Sequence, residues 1–319
     1  MLQIEQILTQ GRYYKQKFGT KVYKIPISVY GFTCPNIDGT VAKGGCSFCE
    51  NESFSPNLQD KSKLKLNSNS KTNPYLARQI KELEEQFLKQ KNILSKKFGA
   101  KKFIVYFQSF SNTYAPFETL KVLYEKALSF DDVLGLNIGT RTDCMSDEIL
   151  DYLSNLAKTK EICLEYGIQS FYDETLIAIN RGHDSANMLT WIKKTKEKNI
   201  NICLHIIFGL PKETQEMMLK TCKISYDLGV QSVKFHPLYV VKHTLLTNKY
   251  KKGEFTPISE EQYIDTLVKA LKMMPKNIVV QRISAGIDST NLLAPMWCKC
   301  KHEQMKTLRL ALLKEGLNY

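Results

Sequence analysis

No stretch of this 319-residue chain stays apolar over the roughly 18–20 residues that a membrane span requires. The first residues, MLQIEQILTQGRYYKQKFG, lack an apolar core behind a basic start and lack a small-residue cleavage site. The sequence therefore predicts a cytoplasmic protein with no secretion signal and no membrane contact. Paired cysteine is missing too: nine is an odd count, and a disulfide framework is not expected in a reducing compartment. Acidic residues are few beside basic ones, 32 Asp and Glu against 45 Lys and Arg, for a net charge of +13. That imbalance points to an anionic partner, nucleic acid first, met by fast and salt-sensitive association. The excess is spread along the chain, with denser stretches at 61–71, 96–102, 249–252 and 299–306.

What is present is a strand–helix rhythm that starts near residue 22. Candidate strands are 22–30, 103–107, 133–138, 162–168, 202–208 and 231–235, short and rich in β-branched or aromatic residues as buried parallel strands are. Helical patterns lie between them at about 75–95, 116–129, 147–158, 172–199 in two pieces, and 213–228. Alternating elements of this kind imply a parallel sheet. Six units predict an α/β fold: an incomplete (β/α)6 TIM-like barrel of parallel strands, with functional groups at the C-terminal strand ends. The expected divisions are an N-terminal segment 1–21, the partial barrel 22–240, and a C-terminal helical extension 241–319 with helices near 259–274 and 303–316. Segment 51–74 is polar and rich in Lys, Asn and Ser, and reads as a mobile surface loop.

The cysteines that cluster lie in GFTCPNIDGTVAKGGCSFCE, residues 31–50, just after the first strand. Eleven residues separate Cys34 from Cys46, and two separate Cys46 from Cys49. Gly44 and Gly45 let the backbone fold tightly around a bulky centre. Three neighbouring thiolates indicate a metal. A structural zinc would need a fourth protein ligand, which Cys298 or Cys300 would supply only by folding back. A [4Fe–4S] cluster held by three cysteines instead leaves one iron open to a ligand. Cys163 and Cys203 sit in apolar runs and read as buried small hydrophobes.

This cysteine segment resembles the radical S-adenosylmethionine (SAM) superfamily, and within it the YtqA/YhcC type, related to the radical SAM part of the Elp3-like proteins. The resemblance covers roughly residues 12–300. It also rests on YFQSFSNTYAP (106–116), LNIGTRTDC (136–144), LEYGIQS (164–170), INRGHD (179–184), IIFGLPKET (206–214) and VKFHPLYVVKHTLL (233–246). It implies that Cys34, Cys46 and Cys49 hold a [4Fe–4S] cluster whose open iron chelates SAM, and that Phe48 packs near the adenine. It further implies tailoring of a tRNA wobble uridine, from a 5-carboxymethylaminomethyl to a 5-aminomethyl group, with a one-electron reductant such as flavodoxin or ferredoxin as a partner. A porphyrin-like or acyl small-molecule substrate, or a non-catalytic zinc- and RNA-binding protein, are the competing expectations.

Further cofactor contacts are expected at strand ends. Gln108 and Ser109 stand where the family presents groups to the SAM amino group, without its common Gly-Gly-Glu. Thr140, Arg141 and Asp143 end the third strand; Arg pairs bidentately with a carboxylate, and Asp accepts from ribose hydroxyls. Glu165 and Gln169 flank the fourth strand end as candidates for SAM or substrate contact. His183, Lys234 and His236, with Arg181, Lys242 and His243 nearby, are candidates for binding an anionic group or moving a proton. GLPKET reads as a loop that opens a helix.

Overall fold

The computed structural model describes residues 4–50, 65–287 and 290–319. Seven strands form one sheet in chain order: β1 (Val22–Ile27), β2 (Lys102–Phe107), β3 (Val133–Thr140), β4 (Glu161–Gln169), β5 (Asn201–Phe208), β6 (Ser232–Pro237) and β7 (Val279–Arg282). Every neighbouring pair is parallel. The sheet curls into a partial barrel, and Lys24 Nζ on β1 reaches Gln281 Oε1 on β7 at 2.6 Å. The expected fold class holds, with one strand more than the six read from sequence.

Alternation along the strands explains the layering. Ile25 and Ile27, Phe103, Val105 and Phe107, Leu136 and Ile138, Ile162 and Leu164, Leu204 and Ile206, and Val233 and Phe235 are buried in one core with the surrounding helices. Each such side chain contributes roughly 1.5–3 kcal/mol by leaving water. The alternate positions, Lys24, Tyr106, Asn137, Glu165, His205 and Lys234, carry polar groups that meet one another across the lumen. At Gly135 a Cβ would lie 1.8 Å from the Glu161 carbonyl oxygen, so only glycine lets β3 and β4 approach there.

The interleaved helices run Leu76–Phe98, Phe117–Leu128, Asp147–Ala157, Asp173–Ala178 with Ser185–Glu197, and Gln215–Asp227. Ser146, Asp184 and Thr214 cap three of them through side-chain acceptors. The 172–199 region is two helices, as its sequence predicts. Beyond β6, helices Leu245–Lys251, Glu260–Lys272 and Lys301–Lys314 form the C-terminal part, and Leu292–Ala294 pairs antiparallel with Val240–Val241. Residues 51–64 of the polar segment lie outside the described residues. Its remainder is anchored: Leu66 is buried, its N–H donates to the Gly31 carbonyl at 2.8 Å, and Asn67 Nδ2 donates to Asp38 Oδ2 at 3.3 Å. Among the described residues no helix is long and apolar enough to cross a membrane.

Candidate active site

The cysteine loop leaves β1 and folds over the barrel mouth. Cys34 precedes a turn of helix, Pro35–Asp38, whose Ile37 and Asp38 N–H groups donate to the Cys34 carbonyl at 2.8 and 3.1 Å. Gly39, Gly44 and Gly45 take positive φ, the tight folding expected of this loop. Asn36 ties it to the loop after Asp173–Ala178: its Nδ2 donates to the carbonyls of Asn180 and Arg181 at 2.6 and 2.8 Å and lies 3.5 Å from Cys46 Sγ. A Cβ on Gly182 would come within 2.4 Å of Asn36 Oδ1, and φ there is +81°. The glycine of NRGHD is thus the residue that lets the two loops close.

Two arginines face the sulfurs. Arg141 Nη1 donates to Cys34 Sγ and Arg181 Nη1 to Cys46 Sγ, each at 3.5 Å. Arg141 also holds Asp143 with Nε at 2.8 Å and Nη2 at 2.6 Å, and approaches His183 Nδ1 at 3.1 Å. Burial alone would raise the Asp143 carboxyl, but Arg141 and His183 outweigh it and hold the group well below the usual carboxylate range. Burial and the Arg181 charge push His183 down to about 4, so its ring is neutral near pH 7. Burial, then the neighbouring Cys46 and Cys34 thiols, push the Cys49 thiol up. The three sulfurs therefore share one electrostatic neighbourhood.

A second polar tier lies deeper in the lumen. Glu165 is fully buried and accepts from Lys24 Nζ at 2.8 Å, Asn137 Nδ2 at 2.6 Å, His205 Nε2 at 3.0 Å, and Lys234 Nζ. Burial would raise its carboxyl, but Lys234, Lys24 and His205 hold it well below the usual range. Lys234 Nζ also donates to Tyr106 OH at 3.3 Å and sits 4.5 Å from that ring's centroid. Burial lowers Lys24, and burial with the Lys234 charge takes His205 down to about 4.

The sequence-derived candidates divide between these tiers. Arg141, Asp143 and His183 gather at the cysteines; Glu165 and Lys234 form the lumen tier, with His236 two residues further along β6. Gln169 is buried in left-handed backbone at the end of β4, φ 64°, with its Oε1 unpartnered among the described residues. Ser109 bonds Ser28 Oγ at 2.6 Å, and Thr140 bonds Thr113 Oγ1 at 2.5 Å, so both serve the walls of the mouth. The Gln108 N–H donates to the Ile27 carbonyl at 3.2 Å, and Phe48 packs half-buried against the core. Lys242 and His243 are exposed, outside both tiers. Cys298 packs with Tyr239 and Val241 and accepts from Gln304 Nε2 at 3.2 Å, while Cys300 is exposed. Sequence reasoning missed Lys24, Tyr106, Asn137, His205 and Arg282; for Lys24, Asn137 and His205, a polar residue inside an apolar strand was the available signal.

The radical SAM superfamily profile matches residues 39–224, and the Radical_SAM C-terminal domain matches residues 230–313. The chain belongs to the radical SAM superfamily. YtqA of Bacillus subtilis is 34% identical over 314 residues, covering 97% of this chain and 92% of that protein. YhcC of Escherichia coli K12 is 33% identical over 303 residues, covering 95% and 91%. Among solved structures, the Elp3 of Methanocaldococcus infernus with its N-terminus deleted superposes with a TM-score of 0.63 at 20% identity. That match covers 93% of this chain and 64%, just under two thirds, of the other, and shows the shared fold.

Radical SAM enzymes use a [4Fe–4S] cluster and SAM, and the residues at the barrel mouth fit that pair. A [4Fe–4S] cubane takes each of three thiolates on a different iron and leaves the fourth iron open. N–H groups directed at Cys34 and Cys46 are the outer-shell donors such a cluster uses.

Proposed function

We propose that this radical SAM enzyme holds its cluster on Cys34, Cys46 and Cys49 and acts on the wobble uridine of tRNA, converting a 5-carboxymethylaminomethyl group to 5-aminomethyl. The observation that carries the tRNA reading is likeness to the tRNA uridine(34) acetyltransferase of Methanocaldococcus infernus, 31% identical over 160 residues that cover 49% of this chain and 29% of that protein. The net charge of +13 is consistent with a polyanionic substrate.

Bound at these cysteines, the cluster supplies one-electron cleavage of SAM and, through it, hydrogen abstraction from an unactivated C–H bond. The chain's own residues do the rest. Arg141 and Arg181 fix two of the sulfurs and offset their charge. Asp143 holds the Arg141 fork, and neutral His183 closes the same network. Glu165 and Lys234 are buried in the lumen, where a carbon radical would be shielded from bulk solvent. Abstraction from the methylene between nitrogen and carboxylate gives a radical stabilised by both. Loss of one electron to a one-electron acceptor and of the N–H proton to solvent leaves an imine, which water splits into 5-aminomethyluridine and glyoxylate. A flavodoxin or ferredoxin suits the role of reductant.

The test is reaction of reduced, cluster-loaded protein and SAM with tRNA bearing the carboxymethylaminomethyl group, read by nucleoside mass spectrometry and 5′-deoxyadenosine yield. Stoichiometric 5-aminomethyluridine supports the reading; unchanged tRNA under conditions that cleave SAM overturns it.

A further inference from the structure

The lumen carries more positive than negative charge. Lys24 and Lys234 enter it from β1 and β6, and Glu165 answers them with its single carboxylate. A third cation, Arg282, arrives through a β-bulge. Val233 pairs with Val280, yet Lys234, the next residue, pairs with Arg282, so Gln281 is an extra residue in β7. Val280 packs into the core with the helices, and strict alternation would send Arg282 the same way. The bulge turns Arg282 to the Lys234 face instead. There it lies within electrostatic reach of Tyr106 on β2 and His236 on β6.

Arg282 differs from Lys24 and Lys234 in holding a buried nitrogen with no acceptor among the described residues. Its Nε is buried and has no hydrogen-bond partner among the described residues. Leaving such a donor unpaired is unfavourable, and structures pair nearly all of them. Lys234 gives two of its three N–H groups to Glu165 and Tyr106, which leaves one. His236, beside both, uses Nδ1 on the Pro237 carbonyl at 3.3 Å.

We infer that Arg282, Lys234 and His236 form a carboxylate subsite in the lumen, which holds the carboxymethyl end of the substrate. The inference rests on the substrate reading above and names the residues that select for it. A guanidinium fork matches the two oxygens of a carboxylate. Glu165 accepts from both lysine ammonium groups and fixes where they stand, so the subsite is set before the ligand arrives. With its carboxylate held between β6 and β7, the substrate presents the adjacent methylene toward the cysteine end of the lumen, the positioning that hydrogen abstraction needs.

The test compares binding of 5-carboxymethylaminomethyluridine and its methyl ester, as free nucleosides, to cluster-loaded protein with SAM. The wild-type protein binds the acid at least about tenfold more tightly than the ester, the value of one charge-assisted contact. Arg282→Gln brings the two ligands to within about threefold, and Arg282→Lys restores part of the preference as a point charge. Iron content and thermal midpoint of each variant confirm an intact fold; the wild-type comparison decides even if a variant is unstable. Equal binding of acid and ester by wild type, binding of neither, or undiminished preference in Arg282→Gln overturns the subsite. A parallel arm uses intact tRNA with and without the carboxymethylaminomethyl group. If tRNA is not bound while the nucleoside preference persists, the tRNA reading falls and the carboxylate subsite stands.

Discussion

Arg141 points Nη1 at the sulfur of Cys34, 3.5 Å away, while its remaining nitrogens are engaged by Asp143, His183 and the Arg181 carbonyl. A cationic N–H donated to a cluster thiolate favours the more reduced, more negative cluster. Arg141→Ala therefore lowers the cluster's reduction potential. A hydrogen bond to a charged group worth about 1.5 kcal/mol corresponds to roughly 65 mV for one electron, an upper figure for the shift. Since Arg141 has a single N–H left for a ligand, SAM affinity falls less than about tenfold. Redox titration followed by electron paramagnetic resonance, with isothermal titration of SAM, measures both. An unchanged potential with a normal cluster removes Arg141 from this role.

Anaerobically reconstituted protein is expected to be brown, with about four iron atoms per chain. Cys34→Ala, Cys46→Ala and Cys49→Ala each lose the iron and abolish 5′-deoxyadenosine formation. Cys300→Ala, altering an exposed side chain, keeps both. Iron and zinc analysis of the four variants checks this. A colourless zinc form with full activity would refute the cluster assignment.

Glu165 anchors two lysines and a histidine in the lumen, so removing it leaves cations without a counter-charge. Breaking one partner out of a buried ion pair costs about 3–5 kcal/mol. Glu165→Ala is accordingly expected to lower the thermal midpoint by roughly 5–7 °C. Lys24→Met is milder, because Glu165 keeps Lys234, His205 and Asn137. Calorimetry of the two variants ranks them, and the reverse order contradicts the account.

The barrel was legible because its strands alternate or run apolar between helical patterns of ordinary length. The seventh strand was not. Val279–Arg282 has only four residues and lies inside the segment 241–319, read as an extension. Its bulge also breaks the period on which strand reading depends. Cys34, Cys46 and Cys49 stood out by their spacing, Arg141 and Asp143 by their place at a strand end, and His183 by its place in NRGHD between two helical patterns. Lys24, Asn137 and His205 were passed over although each interrupts an apolar strand. Their partner, Glu165, is distant in sequence, and only closure of the sheet brings them together. Arg181 was visible as part of NRGHD, but its aim at Cys46 depends on the turn that Gly182 permits.

Glu213 gives a pH signature away from the cysteines. Burial raises its carboxyl to about 7, against hydrogen bonds from Ser170 and Thr175. A carboxyl whose pKa is higher folded than unfolded stabilises the fold below the unfolded value. That contribution is lost as pH rises through about 7. The loss is about 3 kcal/mol at most. Wild type should therefore show a lower urea midpoint at pH 8 than at pH 5, and Glu213→Gln should flatten the difference. A variant that keeps the full wild-type slope places the titration elsewhere.

Exposed lysines are the expected phosphate contacts if tRNA is the substrate. Lys65 is exposed, and its Nζ donates to the Ile37 carbonyl at 3.4 Å, which sets the start of the described chain after the lysine-rich segment against the cysteine loop. Lys61 and Lys63 belong to the same segment and lie outside the described residues. Lys299 and Lys301, exposed at the head of Lys301–Lys314, extend the basic set. Each phosphate neutralised on a single strand contributes about −0.7 to the log–log salt slope, so four or five contacts give roughly −3. Replacing Lys61, Lys63 and Lys65 by Ser should weaken binding evenly across tRNAs and flatten the slope by about 2, while SAM cleavage without tRNA is unchanged. The uniform loss follows because phosphates carry no sequence information. Salt-dependent binding of wild type and triple variant, to unmodified and carboxymethylaminomethyl-bearing tRNA, separates charge from side-chain recognition. A flat wild-type response removes the nucleic-acid partner and leaves a small carboxylate as the substrate class.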